Sequence, residues 1–152
     1  MPVARVNDIE LTYKLEGEGE ETIVLVNGLA DDHQTWVLQM DDFLAAGYRV
    51  LRFDNRGIGA SSKPAGPYSS RMLADVIQGH DTVGRLGEIT TPALVLAGEE
   101  DILIPVSLSR RIHEGIPGSE WATTEGGHGC VWEHPAEFNR TYLDFVGRHR
   151  KG

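Results

Sequence analysis

Two short runs limit what this chain can fold into more than any other feature. Thr22 to Val26 (TIVLV) and Ala93 to Ala97 (ALVLA) are apolar without alternation, which is the pattern of parallel strands buried on both faces rather than of strands with one wet face. Parallel neighbours cannot be joined by a tight turn and need a crossover, usually a helix. The stretches between them must therefore supply helices, and their period says where. From Gln34 to Ala46, Trp36, Met40, Phe43 and Leu44 recur at i, i+4, i+7 and i+8 on one helical face. Met72, Leu73, Val76 and Ile77 do the same within Ser69 to Ile77. Pro105 opens a helix to about Gly115, and Pro135 opens a terminal one with Phe138, Tyr142, Phe145 and Val146 on one face. Tyr48 to Phe53 and Glu120 to Thr124 read as further strands, and Val3 to Val6 with Ile9 to Leu15, split by Asn7-Asp8, as a hairpin. The fold class is α/β.

The chain has 152 residues, which predicts one domain over 1–152 with a single core. Fourteen Lys and Arg against twenty-three Asp and Glu leave a net charge of −9; a phosphate backbone would be repelled, and no nucleic-acid partner is expected. No apolar run approaches the ~20 residues of a membrane span, and the Met1-Pro2-Val3-Ala4-Arg5 start does not resemble an export signal. No membrane association and a cytoplasmic location are the expectations. With one cysteine, Cys130, and no zinc-type spacing, neither a metal nor a cofactor is expected. Cys130 reads as a small buried hydrophobe rather than a nucleophile. His33, His80, His113, His134 and His149 read as surface or capping residues, Trp36 and Trp121 as core, Trp132 as core or pocket wall, and Glu16 to Glu21 as a solvated loop.

Four segments, in order, resemble the α/β-hydrolase superfamily, and most of all its small lactonases and esterases of the 3-oxoadipate enol-lactonase kind. Val24-Leu25-Val26-Asn27-Gly28-Leu29 is similar to the strand and oxyanion-hole loop, with Asn27 where most members have His. Phe53-Asp54-Asn55-Arg56-Gly57-Ile58-Gly59 with Ser61-Ser62 resembles the D-x-R-G-x-G-x-S loop. Leu94 to Asp101 followed by Ile104-Pro105 resembles the strand that ends in the triad acid, and Gly126-Gly127-His128-Gly129 the loop that holds the triad base. The resemblance implies Asp101 as acid, His128 as base, and Gly28 with the Leu29 N–H as part of the oxyanion hole.

The chain departs from the pattern at the nucleophile. Its serines are Ser61, Ser62, Ser69, Ser70, Ser107, Ser109 and Ser119, and none lies in the G-x-S-x-G elbow that exposes a reactive hydroxyl. Set against the family, a central block with the elbow and cap is missing near residues 75–78. Gly79-His80-Asp81-Thr82-Val83-Gly84 offers Asp81 as an alternative nucleophile, in the manner of the dehalogenases and epoxide hydrolases. Val83 stands where that elbow needs a small residue, and ten residues after Tyr68 cannot supply both a helix and a strand.

These features give three readings. The first is a carboxylic ester or lactone hydrolase by descent, weakly active or inactive as this chain. The second is a catalytically incomplete small-molecule binder or engineered minimal scaffold. In the third, Asp101 and His128 act together as a general base without serine. The contraction predicts that Ala93 to Ala97 closes directly against Thr22 to Val26 in parallel, with a homodimer, by exchange of strands or by an edge contact between two chains, as the fallback.

Overall fold

A computed structural model of the chain describes residues 1–7, 9–28, 31–63 and 82–150. They fall into two compact units, 1–66 and 67–152, each built on its own sheet. The first holds strands β1 (Val3–Val6), β2 (Ile9–Glu16), β3 (Thr22–Leu25) and β4 (Arg49–Phe53) in the order β1-β2-β4-β3. β1 and β2 form the expected hairpin, and Asn7 takes the positive φ of +45° that a two-residue turn demands. β2 meets β4 antiparallel and β3 meets β4 parallel. Alternation sends Thr12, Ile23, Leu25 and Val50 inward, where Met40 and Phe43 of helix α1 (Met40–Ala45) are buried with them. Arg52 shares that buried face, which is tolerated because its guanidinium reaches Glu16 Oε2 at 2.8 and 3.0 Å and the His33 carbonyl at 3.3 Å.

The second unit pairs β5 (Leu94–Gly98) with β6 (Glu120–Thr124) in parallel, from Leu94 opposite Glu120 to Gly98 opposite Thr124. Helix α2 (Val106–Gly115) makes the crossover and packs on β5. A 3₁₀ turn, Val83–Glu88, lies against α2, with Leu86 so close to Gly115 that a Cβ there would collide. A one-turn helix, α3 (Cys130–Glu133), leads into α4 (Pro135–Arg148).

Several expectations are corrected. The single helix expected over Gln34 to Ala46 is a 3₁₀ turn, His33–Trp36, followed by α1. Asp32 caps the Gln34 N–H at 2.7 Å, and i→i+3 bonds from Val37 to Gln34 (3.0 Å) and from Gln39 to Trp36 (3.1 Å) hold the tighter winding until the Phe43 to Gln39 bond starts the α ladder. Thr22 to Val26 is not buried on both faces: Val24 is 51% and Val26 64% exposed. Nor does β5 close against β3. Among the described residues β3 pairs only with β4, and β5 only with β6. Each parallel pair already has a local crossover of its own with a helix packed on it, α1 on β4 and α2 on β5, and a ladder between distant strands must overcome more loop-closure entropy. Glu16 is not in a solvated loop but ends β2 and binds Arg52. Ser69 to Ile77 and the junction near 75–78 lie outside the described residues.

Candidate active site

β5 delivers Asp101 and β6 delivers His128, both through loops at the carboxyl ends of parallel strands, where ligand crevices form. Asp101 uses its two carboxylate oxygens separately. Oδ1 accepts the N–H groups of Leu103 and Ile104, each at 2.8 Å, and fixes the loop. Oδ2 lies 2.9 Å from His128 Nδ1. Burial opposes ionisation of Asp101, but the Ile104 amide, the His128 imidazole and the Leu103 amide outweigh it and hold the carboxyl below its usual range. An ionised carboxylate only accepts, so the assigned tautomer places the proton on Nδ1 and leaves Nε2 to accept one. The Asp101 side chain is 10% exposed and that of His128 57%, so the carboxylate is sheltered and the imidazole is open.

The His128 loop is held from below. Gly98 lets the backbone of residues 126 and 127 approach β5, since a Cβ at Gly98 would strike both carbonyls. The Glu100 N–H then bonds the Gly126 carbonyl at 2.9 Å. Gly126 has a φ of +96°, and Glu133 Oε2 takes the Gly127 N–H at 2.6 Å. Glu137 Oε2 accepts the Thr124 hydroxyl at 2.8 Å and so fixes the end of β6. His128 lines a cleft of about 860 Å³, together with Ile102 and Leu103 and the acidic Glu99, Glu100, Glu125 and Glu133.

Cys130, two residues past His128, is half-buried rather than buried. Burial first, then the charges of Glu133 and Asp101, push its thiol up from the ordinary 9.0, which disfavours the thiolate a nucleophile needs. Gly28 belongs to the first unit, where Asn27 organises the loop. The Asn27 amide donates to the Phe53 carbonyl at 2.8 Å and accepts the Trp36 indole N–H at 2.6 Å, while Asn55 donates to the Asn27 and Gly28 carbonyls at 3.1 and 3.3 Å. Leu29, His80 and Asp81 lie outside the described residues.

Three of the described serines, Ser61, Ser62 and Ser119, serve structure. Ser61 Oγ accepts the Thr12 N–H and donates to the Asp54 carbonyl, both at 2.8 Å, and Ser62 Oγ accepts the Glu10 N–H at 2.9 Å. Ser119 Oγ lies 2.7 Å from His113 Nδ1 but also 3.0 Å from the His113 carbonyl, which makes it a cap on the end of α2. His33, expected at the surface, is buried instead, with Nδ1 2.6 Å from Asp54 Oδ1. The D-x-R-G loop required a donor for Asp54, but no spacing in the sequence pointed to His33. Among the described residues no three metal-binding side chains gather to hold an ion, and no helix is long and apolar enough to cross a membrane.

A family model described as "Alpha/beta hydrolase family" matches residues 23–98, half of the chain. The chain belongs to the alpha/beta hydrolase family. As a member it resembles the 2-hydroxy-6-oxononadienedioate/2-hydroxy-6-oxononatrienedioate hydrolase of Cupriavidus pinatubonensis, 39% identical over 77 residues, or 50% of this chain and 27% of the relative. A putative carbamate hydrolase of Agrobacterium fabrum is 38% identical over 71 residues, 46% of this chain and 27% of the relative. The matched stretch thus spans little more than a quarter of the length of these curated relatives. Among solved structures, the enol-lactonase of Burkholderia xenovorans LB400 superimposes with a TM-score of 0.84 at 19% identity, covering 96% of this chain and 100% of that one. A bromoperoxidase of Bacillus anthracis gives 0.80 at 18%, covering 91% and 96%. At that identity the likeness shows an α/β-hydrolase fold.

Asp101 is expected to set the His128 tautomer. Asp101→Asn retains an oxygen for the Leu103 and Ile104 amides but turns an NH₂ toward Nδ1, which should drive the proton to Nε2. Nitrogen NMR of the labelled imidazole is expected to show that switch. An unchanged tautomer would mean that Asp101 does not control it.

Proposed function

We propose that this family member is a carboxylic ester or lactone hydrolase by descent that keeps the acid–base pair, Asp101 and His128, but supplies no serine nucleophile, and is therefore weakly active or inactive. The observation that carries this reading is the 2.9 Å Asp101–His128 bond at the mouth of an open cleft in a chain without a G-x-S-x-G elbow. In a complete triad the serine hydroxyl gives its proton to the imidazole as its oxygen attacks the acyl carbon. The elbow also supplies one oxyanion donor, the N–H after the nucleophile, so both are lost together. Residual catalysis of ~10³ to 10⁴-fold persists in damaged triads only through an intact oxyanion hole. A small ester or lactone is the ligand class this descent favours.

A second reading rests on the exposure of His128. Nε2 would take a proton directly from water or from an acidic substrate while Asp101 stabilises the imidazolium. One experiment divides the two readings. An organophosphonate serine probe is expected to leave the protein unlabelled, and hydrolysis of small esters is expected to run near the uncatalysed rate, unchanged by His128→Ala. Turnover lost with His128→Ala but without serine labelling would favour the general-base reading. Stoichiometric labelling at a serine would overturn both.

A further inference from the structure

We infer that Glu133 is a positioning residue for His128, one that aligns the imidazole with Asp101 by holding the backbone of the loop rather than the ring. The inference takes from the proposed function only that His128 is the base. Asp101 is fixed independently, by the Leu103 and Ile104 amides, so the meeting of the pair depends on how the loop presents His128. That loop has little stiffness of its own. Gly126, Gly127 and Gly129 surround His128, glycine loses the most conformational freedom when it is ordered, and the exposed His128 side chain has little packing to steer it.

Control lies in the peptide between Gly126 and Gly127, which is held at both ends. Its carbonyl accepts the Glu100 N–H at 2.9 Å, and its N–H donates to Glu133 Oε2 at 2.6 Å. The first bond comes from the loop after β5; the second comes from α3 and is charge-assisted, which makes it roughly twice as strong as a neutral one. The same carboxylate fills the space the glycines leave. A Cβ at Gly126 would strike Oε2, and one at Gly129 would press on Oε1 at 3.2 Å. Two other carboxylates of the cleft turn elsewhere: Glu99 accepts the Thr123 hydroxyl at 2.8 Å, and Glu125 faces His134 Nδ1 at 3.7 Å.

Nitrogen NMR of the labelled, neutral imidazole separates reach from charge, with far-UV spectra to confirm that each variant is folded. The wild-type protein is expected to show the Nδ1–H tautomer. Glu133→Gln keeps an oxygen for the Gly127 N–H without the charge and is expected to retain that tautomer. Glu133→Asp keeps the charge but is one methylene shorter, and it is expected, like Glu133→Ala, to lose the tautomer preference and to shift the Gly127 amide resonance. Glu100→Gln, which removes a cleft charge but leaves its backbone N–H in place, is expected to change neither signal. A Glu133→Asp protein that keeps the tautomer, or a Glu133→Gln protein that loses it as fully as Glu133→Ala, would overturn the inference; should the alanine variant not fold, the Gln and Asp variants decide it. A wild-type imidazole without the Nδ1–H tautomer would defeat the Asp101–His128 pairing itself, and this inference with it, whereas serine labelling and ester turnover bear on the proposed function alone.

Discussion

Replacing Asp54 with alanine is expected to cost the first unit about 3 kcal/mol or more, because several buried donors lose one acceptor at ~1–3 kcal/mol each. The residue is 1% exposed. Its Oδ1 takes the His33 N–H at 3.0 Å and faces His33 Nδ1 at 2.6 Å, while Oδ2 takes the Ala60 N–H at 3.0 Å. Alanine would leave all of these without the acceptor, and buried donors left unmade are the expensive kind. Asp54→Asn keeps one acceptor but turns an NH₂ group toward a donor, so its cost should be smaller yet clear. Urea unfolding followed by far-UV circular dichroism checks both, and a shift for Asp54→Ala no larger than for an exposed substitution would refute the role. Burial works against ionisation here too, but the His33 and Ala60 amides and the His33 imidazole prevail and hold the Asp54 carboxyl below 3.8. Because the folded value lies below the unfolded one, the stabilisation is present above pH 3.8 and is lost as the pH falls through the folded value.

Phe43→Ala is expected to destabilise the same unit by about 3–5 kcal/mol, the usual loss for emptying a buried aromatic site. Phe43 is 1% exposed on α1, above the buried face that holds Val50 at 0%. Val37→Ala is the comparison: at 60% exposure it should change stability by no more than about 0.5 kcal/mol. Equal unfolding midpoints for the two variants would mean that the core does not lie between α1 and β4.

Local features of this chain were legible in the sequence, and pairings between distant segments were not. The unbroken apolar runs gave β3 and β5 to within a residue, because strand formation there depends on immediate neighbours. Asp101 and His128 could be placed in one pair because each follows a strand within a recognisable loop. The apolar face of Gln34 to Ala46 was visible, but not its division, since the Asp32 cap competes with the α ladder through a single side chain. Nothing in the order of residues says which strands share a ladder: β5 is expected against β3, whereas among the described residues β3 pairs with β4 and β5 with β6. His33 escaped for a related reason. Its burial is decided by Asp54, 21 residues away, in a loop brought to it by a crossover.

Everything that fastens Asp101 to His128 comes from one uninterrupted stretch, Leu94 to Glu137: β5, the turn on Asp101, β6, the glycine contact, the Glu133 clamp and the Glu137 anchor. The pair is in that sense a heritable cassette. Insertions or losses before Leu94 remove none of these contacts.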